Sequence, residues 1–440
     1  MPSKAELKAL VFQEIDGRAE EIVEIAKTIL KHPEAGFRET KTSRLVSGKF
    51  AELGIPARSG LALTGVRGEL LGGTEGPTLA ILGELDSLIV EEHPHADPET
   101  GAAHACGHHC QIAMLMGATM GLMSSKVLPE LSGRLVLMAV PAEEYIEIEY
   151  RDSLRRAGKI EFLGGKPEMI RLGEFDDVHL AMMLHTTSNP SEKQIAISGT
   201  NNGTVAKKIR FSGKGAHAGG APHLGINALN AATLAITAIH FNHETFRDED
   251  TVRVHPIITK GGEAVSAVPA DVRMETFVRA RTLEALTDAN QKVDRALRAG
   301  AMAVGANVTI QTMPGYMPLD QDRDMASVFE QNAEALVGKD NVGHITHRTG
   351  STDMGDVSQL MPAIHPYVGG ATGLGHGATY VIEDYGLAVI TAAKALAATA
   401  VDLMADGAKT AGAIIAGHRA NMTRGEYLKF MRGLATEEAY

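Results

Sequence analysis

The chain has 440 residues, of which 44% are hydrophobic and 22% are charged, and its formal net charge is −12 at pH 7. This length exceeds what one hydrophobic core usually covers, so we expect two domains. The acidic balance argues against a nucleic-acid partner and against an anionic membrane surface. The apolar runs also fall short of the roughly 20 residues that cross a bilayer, so we expect no membrane-spanning segment.

The N-terminal residues predict an amphipathic helix rather than a secretory signal. The run MPSKAELKALVFQEID has no unbroken apolar stretch, and Ser3 followed by Glu6 is the signature of a capping box. The two cysteines, Cys106 and Cys110, lie close together in a segment that leads into a helix, where a disulfide would distort the turn. We therefore expect free thiols and a cytoplasmic protein.

Three short apolar runs predict buried strands of a mainly parallel sheet with helices on both faces. They are PTLAILGELD (77–86), GRLVLMAVPAEE (133–144) and DVHLAMMLHTT (177–187), and they end in Glu84 and Asp86, in Glu143 and Glu144, and in His185. In open α/β sheets, sites form beyond the carboxyl ends of such strands. Ionisable residues at three strand ends therefore predict a functional site at this edge of the sheet.

The pattern changes near residue 200. Between residues 200 and 317 the runs follow the order βαββαβ, which is typical of a ferredoxin-like α+β unit. The α/β pattern then resumes with the strand MPAIHPYVGG and the Ala-rich helix GLAVITAAKALAATAVDLMA. We therefore expect an α/β domain formed by residues 1–199 and 318–440, into which residues 200–317 are inserted. The charged tail from about residue 418 is expected to be peripheral.

The segment HACGHH brings potential metal ligands together. Cys106 and His108 are separated by one glycine, which lets the backbone turn so that both side chains face one point. A thiolate and an imidazole suit zinc and are tolerable for cobalt or manganese. A structural zinc knuckle would need a second Cys/His pair, and the chain has no further cysteine. A metal site, a satisfied core cluster and thiol catalysis stay open here, although nearby acidic strand ends would raise the thiol pKa.

The segment PAEEY favours the interpretation of HACGHH as part of a metal site. Successive side chains of an extended chain point apart, so Glu143 and Glu144 face different surroundings. One can bind a metal while the other acts as general base, which is the usual arrangement for hydrolysing C–N bonds. Taken alone, paired glutamates more often form a solvated face. His185, His376 and His217 are likewise undecided by their local sequences.

In chain order these segments resemble the aminoacylase-like dinuclear metallohydrolases of peptidase family M20. The nearest branch is that of the amidohydrolases that include aminobenzoyl-glutamate hydrolase and the hippurate and auxin-conjugate hydrolases. The resemblance rests on HPEAGFRETKTS, GELDSL, HACGHH, PAEE, GEFDDVHLAMMLH, GKGAHAGGAPHLGINAL, GSTDMGDVS and GLGH, from about residue 30 to 380. It implies a catalytic domain with one or two divalent ions, zinc or manganese, and an inserted lid domain through which a homodimer forms.

The resemblance also implies ligand roles. Cys106 resembles a ligand shared by both ions and His108 a ligand beside it. Glu144 and His185 would complete the ligation of one ion and His376 that of the other. Asp86 would orient a ligand from the second shell.

The remaining implied roles concern catalysis and substrate. Glu143 would be the general base, and His217 would reach across the dimer to polarise the scissile group. His223 and Ser266 are expected to bind substrate, and Asp353 falls where the family has an acidic residue near the site.

The sequence departs from the family at four places, all bordering the substrate side. His109, Cys110 and Gln111 replace Asp, Gly and His after HACGH, and Ser266 replaces an asparagine in the lid. Residues 145–165 are inserted directly after the glutamate pair, and the loop 90–103 is longer than usual. The ligand positions hold, so the chemistry is expected to be intact while the substrate differs.

The sequence therefore predicts a metal-dependent hydrolase of a C–N bond in a small molecule. The first choice of substrate is the amide of an N-acyl or aromatic-acyl amino acid. One alternative is an aminohydrolase that releases ammonia from an amino-substituted aromatic acid, which the departures favour. A second is a non-catalytic relative that binds small molecules, against which the retention of Glu143 speaks.

Overall fold

The computed structural model of the protein describes residues 2–124 and 126–440, which form two compact units. The first unit runs up to Gly199 and adds Asp320–His347 and Asp356–Arg424. The second unit contains Thr200–Leu319, Arg348–Gly355 and Gly425–Tyr440. The first unit ends at Gly199, close to residue 200, where the sequence pattern changes.

The secondary structure alternates helices and strands in the first unit and follows a βαββαβ order in the second. The helices are α1 (Lys4–Gly17), α2 (Ala19–Leu30), α3 (Thr40–Glu52), α4 (His108–Leu122), α5 (Ile148–Arg156), α6 (Gly165–Leu172), α7 (Ala228–Phe241), α8 (Leu283–Val304), α9 (Arg323–Val337), α10 (Met354–Ser358), α11 (Ala392–Met404), α12 (Lys409–Gly417) and α13 (Arg424–Leu434). The strands are β1 (Ala57–Leu61), β2 (Gly65–Leu71), β3 (Thr74–Glu84), β4 (Leu88–Ile89), β5 (Ala102–Ala103), β6 (Ser132–Val140), β7 (Leu180–Met182), β8 (His185–Thr186), β9 (Ile195–Asn201), β10 (Gly203–Ser212), β11 (Arg253–Lys260), β12 (Asp271–Ala280), β13 (Asn307–Pro314), β14 (Leu319–Asp320), β15 (Val342–Arg348), β16 (Ala363–Ile364), β17 (Tyr367–Val368), β18 (Ala371–Thr372), β19 (Val381–Ile382) and β20 (Thr436–Ala439).

Helix α1 begins at the capping box that the sequence predicts. The Ser3 hydroxyl accepts a hydrogen bond from the Glu6 amide at 3.3 Å, and the Glu6 carboxylate accepts one from the Ser3 amide at 2.7 Å. Leu7, Val11 and Ile15 follow at four-residue spacing and are buried. They form the apolar face by which α1 packs against α4 and α11.

The main sheet of the first unit has the order β1-β2-β6-β3-β7-β16. Strands β6, β3, β7 and β16 are parallel, and β1 and β2 form an antiparallel edge. Helix α4 packs on β3, and α11 packs against α4. This arrangement confirms the predicted α/β fold, and it places the ends of β3 and β6 beside the start of α4.

Two strands predicted as single runs are interrupted. The run 177–187 divides into β7, which belongs to the main sheet, and β8, which pairs with β17 in a second sheet. The neighbouring run around Pro366 divides at the same level, into β16 and β17. Proline has no amide hydrogen to donate to a ladder, so a break between the two sheets is expected at Pro366. His185 consequently lies at the start of β8.

The second unit is the predicted ferredoxin-like fold. Its antiparallel sheet has the order β11-β12-β10-β13-β20, and helices α7 and α8 pack on each other and against it. The apolar sides of α7, α8 and the strands form a core of their own, separate from that of the first unit.

Two segments that the sequence assigns to the first domain belong to the second unit instead. Strand β20 of the C-terminal tail pairs with β13, with Thr309 opposite Ala439. Residues 348–355 are held by Asn202, whose side-chain amide donates to the Thr349 carbonyl at 3.2 Å. Charge in the tail and a short loop give no sign of these long-range contacts, which explains why the assignment of 318–440 to one domain was wrong at these places.

One apolar helix is longer than the sequence analysis expects of any apolar run in this chain. Gly386–Met404 is 19 residues long with a mean hydropathy of 1.7, so its length and composition would suffice to cross a membrane. However, 78% of this stretch is buried inside the protein, where α11 packs against α1, α4 and α9. It is a core helix of the first unit.

Candidate metal centre

The first turn of α4 presents two side chains from a constrained backbone. Gly107 has φ +93°, and a Cβ atom there would lie 2.0 Å from the Thr186 hydroxyl oxygen, so only glycine fits. The same hydroxyl lies 3.2 Å from the Cys106 carbonyl, to which it donates a hydrogen bond. Cys106 and His108 therefore leave this glycine in fixed directions, as the sequence predicts for HACGHH.

His108 is oriented by Asp86. Its Nδ1 lies 2.9 Å from the Asp86 carbonyl oxygen and 3.2 Å from Asp86 Oδ1, which directs Nε2 into the site. The other Asp86 carboxylate oxygen accepts a hydrogen bond from the Glu144 amide at 2.9 Å. Asp86 thus contacts both a histidine and a glutamate of the candidate site, and its role in orienting a metal ligand stays a prediction.

Cys106 is shared by two groups of side chains that could hold a metal ion. Its Sγ atom is 3.3 Å from His185 Nε2, and Cys106, His108 and His185 form one group whose ligand atoms lie within 4.8 Å of one another. Cys106, Glu144 and His376 form the second group, in which His376 Nε2 is 3.4 Å from Glu144 Oε1. The structure therefore pairs His185 with His108 and His376 with Glu144, whereas the sequence analysis paired Glu144 with His185.

A third group contains the general-base candidate. Glu84, His108 and Glu143 come together, with His108 Nε2 3.2 Å from Glu84 Oε2 and 3.9 Å from Glu143 Oε2. Glu143 and Glu144 are both buried, yet Glu143 faces His108 whereas Glu144 faces His376. The adjacent glutamates thus have separate surroundings, as the extended segment predicts.

The ligand atoms fit divalent metal ions. Within the described residues, Glu84 Oε2, His108 Nε2 and Glu144 Oε1 are buried atoms without a hydrogen-bond partner. A buried polar atom left unpaired typically costs about 1–3 kcal/mol, and two of these atoms, His108 Nε2 and Glu144 Oε1, belong to groups that share Cys106, so the donor set fits a bound cation. Sulfur, imidazole and carboxylate donors are those that zinc binds, and carboxylates with imidazoles also suit manganese.

The environment of Cys106 opposes thiol catalysis. Burial and the nearby Glu144 carboxylate raise the pKa of the Cys106 thiol well above its usual range. A nucleophilic cysteine needs the opposite shift. Both cysteines are free, as the sequence predicts.

Sequence reasoning missed the support of Glu84. Lys166, at the start of α6, lies 2.5 Å from Glu84 Oε1, and both side chains are completely buried. Burial alone would raise the pKa of Glu84, but Lys166 together with His108 and His185 outweighs it and lowers this pKa to about 2. The amide of Glu84 donates to the Gln111 side chain at 3.0 Å, so one departure from the family has a structural role here. The end of β3 indicated Glu84, but Lys166 gives no local signal.

His109, another departure, is a buried neutral histidine. Its ring centroid is 5.1 Å from that of His104, and burial lowers its pKa to about 3. It lies beside His108 without belonging to any of the three ligand groups.

The predicted substrate-side residues His217, His223 and Ser266 lie in the second unit. His217 is exposed, and its Nδ1 accepts hydrogen bonds from the amides of Gly219 and Gly220 at 3.2 and 2.9 Å. These bonds place the ring proton on Nε2, which makes that atom a donor. Ser266 adjoins this turn, since its carbonyl accepts from the Ala218 amide at 2.8 Å, and His223 is exposed in the following loop. Asp353 is buried within the same unit.

The fold and these ligand groups define a metallohydrolase, and the comparison with known families agrees. Residues 80–410 match Peptidase family M20/M25/M40, so the chain belongs to this family. It is an enzyme of the M20 hydrolases, as the sequence motifs predict.

Characterised relatives cover most of the chain. It is 28% identical to the Xaa-Arg dipeptidase of Mus musculus over 424 residues, which is 90% of this chain and 89% of the relative. It is 26% identical to IAA-amino acid hydrolase ILR1-like 4 of Arabidopsis thaliana over 363 residues, or 79% and 77% of the two chains.

Solved structures share the fold. A dinuclear metal-binding peptidase of family M20 from Bacillus subtilis superposes with a TM-score of 0.66 at 21% identity, covering 88% of this chain and 99% of the other. The aminobenzoyl-glutamate utilization protein of Klebsiella pneumoniae superposes with a TM-score of 0.67 at 18% identity, covering 89% and 98%.

Proposed function

We propose that this protein hydrolyses the amide bond of an N-acyl or aromatic-acyl amino acid, with Glu143 as general base. The observation that carries the proposal is the division of the glutamate pair. Glu144 lies in a ligand group with Cys106 and His376, while Glu143 lies 3.9 Å from His108 Nε2. Binding a metal does not need the second glutamate, whereas hydrolysis does.

The reaction assigns a proton path to Glu143. It takes a proton from water as the water oxygen adds to the amide carbonyl carbon, and it returns that proton to the departing nitrogen as the C–N bond breaks. The products are a carboxylic acid and an amine. Metal ions held by Cys106, His108, His185, Glu144 and His376 would lower the pKa of water toward about 7 and polarise the carbonyl. By the family resemblance, His217 would act across the dimer as a donor to the developing oxyanion.

The names of the relatives support an amide substrate. The relatives include a dipeptidase and a hydrolase of IAA-amino acid conjugates, which differ in the acyl part and share the amide. The replacement of an expected asparagine by Ser266 supports a substrate outside these two. We propose zinc or manganese as the ion, with zinc favoured by the shared thiolate.

The test compares the metal-loaded protein with the chelated protein. A panel of N-acyl amino acids, aminobenzoyl-glutamate and aminobenzoic acids is offered, and the released amine is identified by mass while bound metal is quantified by elemental analysis. Metal-dependent release of an amino acid supports the proposal. Release of ammonia from an aminobenzoic acid would replace it with an aryl aminohydrolase. Equal turnover after chelation would refute the metal mechanism, and metal binding without turnover would favour a binding protein.

We also propose a homodimer through the second unit. Strand β11 ends the sheet, and within the described residues no strand pairs with its outer edge. Ile257 and Ile258 on β11 and Phe241 on α7 are exposed, Phe241 by 74%. An open edge beside apolar side chains is typical of a pairing surface.

Light scattering on the intact protein tests the dimer. We expect twice the chain mass for the wild type and the chain mass for Ile257→Lys. Leu71→Lys, at an exposed apolar position of the first unit, is the matched control and should stay dimeric. A monomeric wild type at micromolar concentration would refute the dimer.

We also propose a cytoplasmic location, because both cysteines are free thiols.

A further inference from the structure

The segment after the glutamate pair encloses a buried arginine. Residues 145–165, which the sequence resemblance predicts to be an insertion, contain α5, and Arg151 of α5 is only 1% exposed. An arginine is almost never fully buried unless its charged head is bonded. Its partners therefore indicate what the inserted segment does.

Arg151 binds the carbonyl groups on either side of Glu143. One terminal nitrogen donates to the Ala142 carbonyl at 3.1 Å and to the Leu163 carbonyl at 2.7 Å. The other terminal nitrogen donates to the Glu144 carbonyl. The guanidinium thus spans the backbone from Ala142 to Glu144 and ties it to the far end of the insertion.

The amide groups of the same residues are held by two buried carboxylates. The Ala142 amide donates to Glu39 Oε1 at 2.8 Å, and the Glu144 amide donates to Asp86 Oδ2 at 2.9 Å. Glu39 and Asp86 are both fully buried. Residues 142 and 144 therefore have their amides fixed by two buried carboxyl groups and their carbonyls fixed by one guanidinium.

This backbone needs such support because Ala142 is strained. Its φ is +54°, in the left-handed region that residues with a Cβ atom disfavour. Strain of this kind, of order 1–3 kcal/mol, persists only when the surroundings impose it. The chain also passes close to Gly36, where a Cβ atom would lie 2.9 Å from Ala142 Cα and closer still to Arg151.

Helix α5 is anchored from outside by a second arginine. Arg38 binds both carboxylate oxygens of Glu147 at 2.8 Å, and its guanidinium lies 3.8 Å from the centroid of the Tyr150 ring. Both partners belong to the insertion. The loop that carries Arg38 and Glu39 thus holds the insertion on its outer side and the Ala142 amide on its inner side.

We infer that Arg151 is a positioning residue, which fixes the backbone of residues 142–144 so that Glu143 and Glu144 keep their separate orientations. Because both carboxylates leave one short segment, a small rotation of its peptide planes displaces the base and the ligand together. The catalytic part of this inference rests on the proposed function, whereas its effect on Glu144 as a metal ligand does not.

The experiment measures zinc affinity and steady-state kinetics for the wild type and Arg151→Lys. A lysine keeps the positive charge but cannot span three carbonyl groups. We expect zinc to bind about 10–100-fold more weakly and kcat to fall about 100-fold, with KM changed far less. Arg156→Lys is the matched control, since Arg156 lies on the same helix with its side chain 59% exposed. It should match the wild type in both measurements.

Zinc affinity separates this inference from the proposed function. Weaker zinc binding by Arg151→Lys supports positioning even when no substrate on the panel is turned over. A folded Arg151→Lys protein with wild-type zinc affinity and kcat overturns the inference. If that variant does not fold, the decision passes to Arg38→Gln, which loosens α5 from its exposed side. Unchanged zinc affinity and kcat in a folded Arg38→Gln protein would then overturn it.

Discussion

The two segments that supply the candidate metal ligands are held in different ways. At the start of α4, Cys106 and His108 are directed by a glycine turn and one helix end, with Asp86 as support. The loop of residues 142–144 instead depends on buried side chains from three other segments, namely Glu39, Asp86 and Arg151. Adjacent residues set most of the geometry at the start of α4, whereas the geometry of residues 142–144 requires contacts among several segments of the folded chain.

The largest expected effect comes from removing the shared ligand. Cys106→Ala removes an atom common to two ligand groups. Since losing a supporting residue costs about 10–100-fold in metal affinity, loss of this ligand should cost more than about 100-fold. Zinc titration calorimetry measures it. Cys110→Ala removes the other cysteine, four residues along and outside all three groups, and should bind zinc normally. Equal affinities would exclude Cys106 as a ligand.

The second prediction addresses the other region. Glu143→Gln removes the base but preserves its shape, so kcat should fall about 10²–10⁴-fold while the metal content stays unchanged. Kinetics with elemental analysis measures both quantities. Glu149→Gln, at an exposed position on α5, is the control and should retain full activity. Loss of metal in Glu143→Gln would instead make Glu143 a ligand.

The third prediction concerns the buried ion pair beside the first region. Lys166→Met leaves the Glu84 carboxylate buried without its cation, which should lower the free energy of unfolding by about 3–5 kcal/mol. Denaturant unfolding of the metal-free protein measures it. Lys159→Met at an exposed position should change stability little. The pKa of Glu84 is about 2 in the folded protein, below the usual 4.5. The ion pair therefore stabilises the fold above pH 4.5, and this contribution is lost as the pH falls toward 2.

The smallest expected effect concerns Glu39 in the second region. Burial and the neighbouring Asp86 raise the pKa of Glu39 from 4.5 to about 7. The folded protein therefore binds a proton that the unfolded chain releases, and stability should fall as the pH rises from 4.5 to 7, by at most about 3 kcal/mol. Glu39→Gln should flatten this slope in the metal-free protein, whereas Glu52→Gln on α3 should not. A wild-type slope in Glu39→Gln would contradict the assignment.

The same contrast explains what could be predicted from the sequence. The types of candidate ligand could be predicted because HACGHH and PAEE are short local motifs. The parallel strands and the ferredoxin-like unit could be predicted because the order of apolar runs along the chain indicates them. The Lys166–Glu84 pair and the break at Pro366 depend on contacts between segments far apart in the chain, which periodicity does not record. Arg151 lies only seven to nine residues from the carbonyls of residues 142 and 144 that it binds, but periodicity does not indicate its side-chain contacts either. The split of ligands between the two groups is of this kind, because only the fold sets His185 beside His108 and His376 beside Glu144.

The pairing of β20 with β13 bears on how the protein can be dissected. A fragment of residues 200–317 follows the sequence pattern and looks complete, yet it would lack the last strand of its own sheet. Its β13 would then expose a row of unpaired amides and carbonyls, a template for aggregation. An affinity tag or fusion partner is accordingly safer before residue 2 than after Tyr440, whose amide still bonds to Val308 at 2.9 Å.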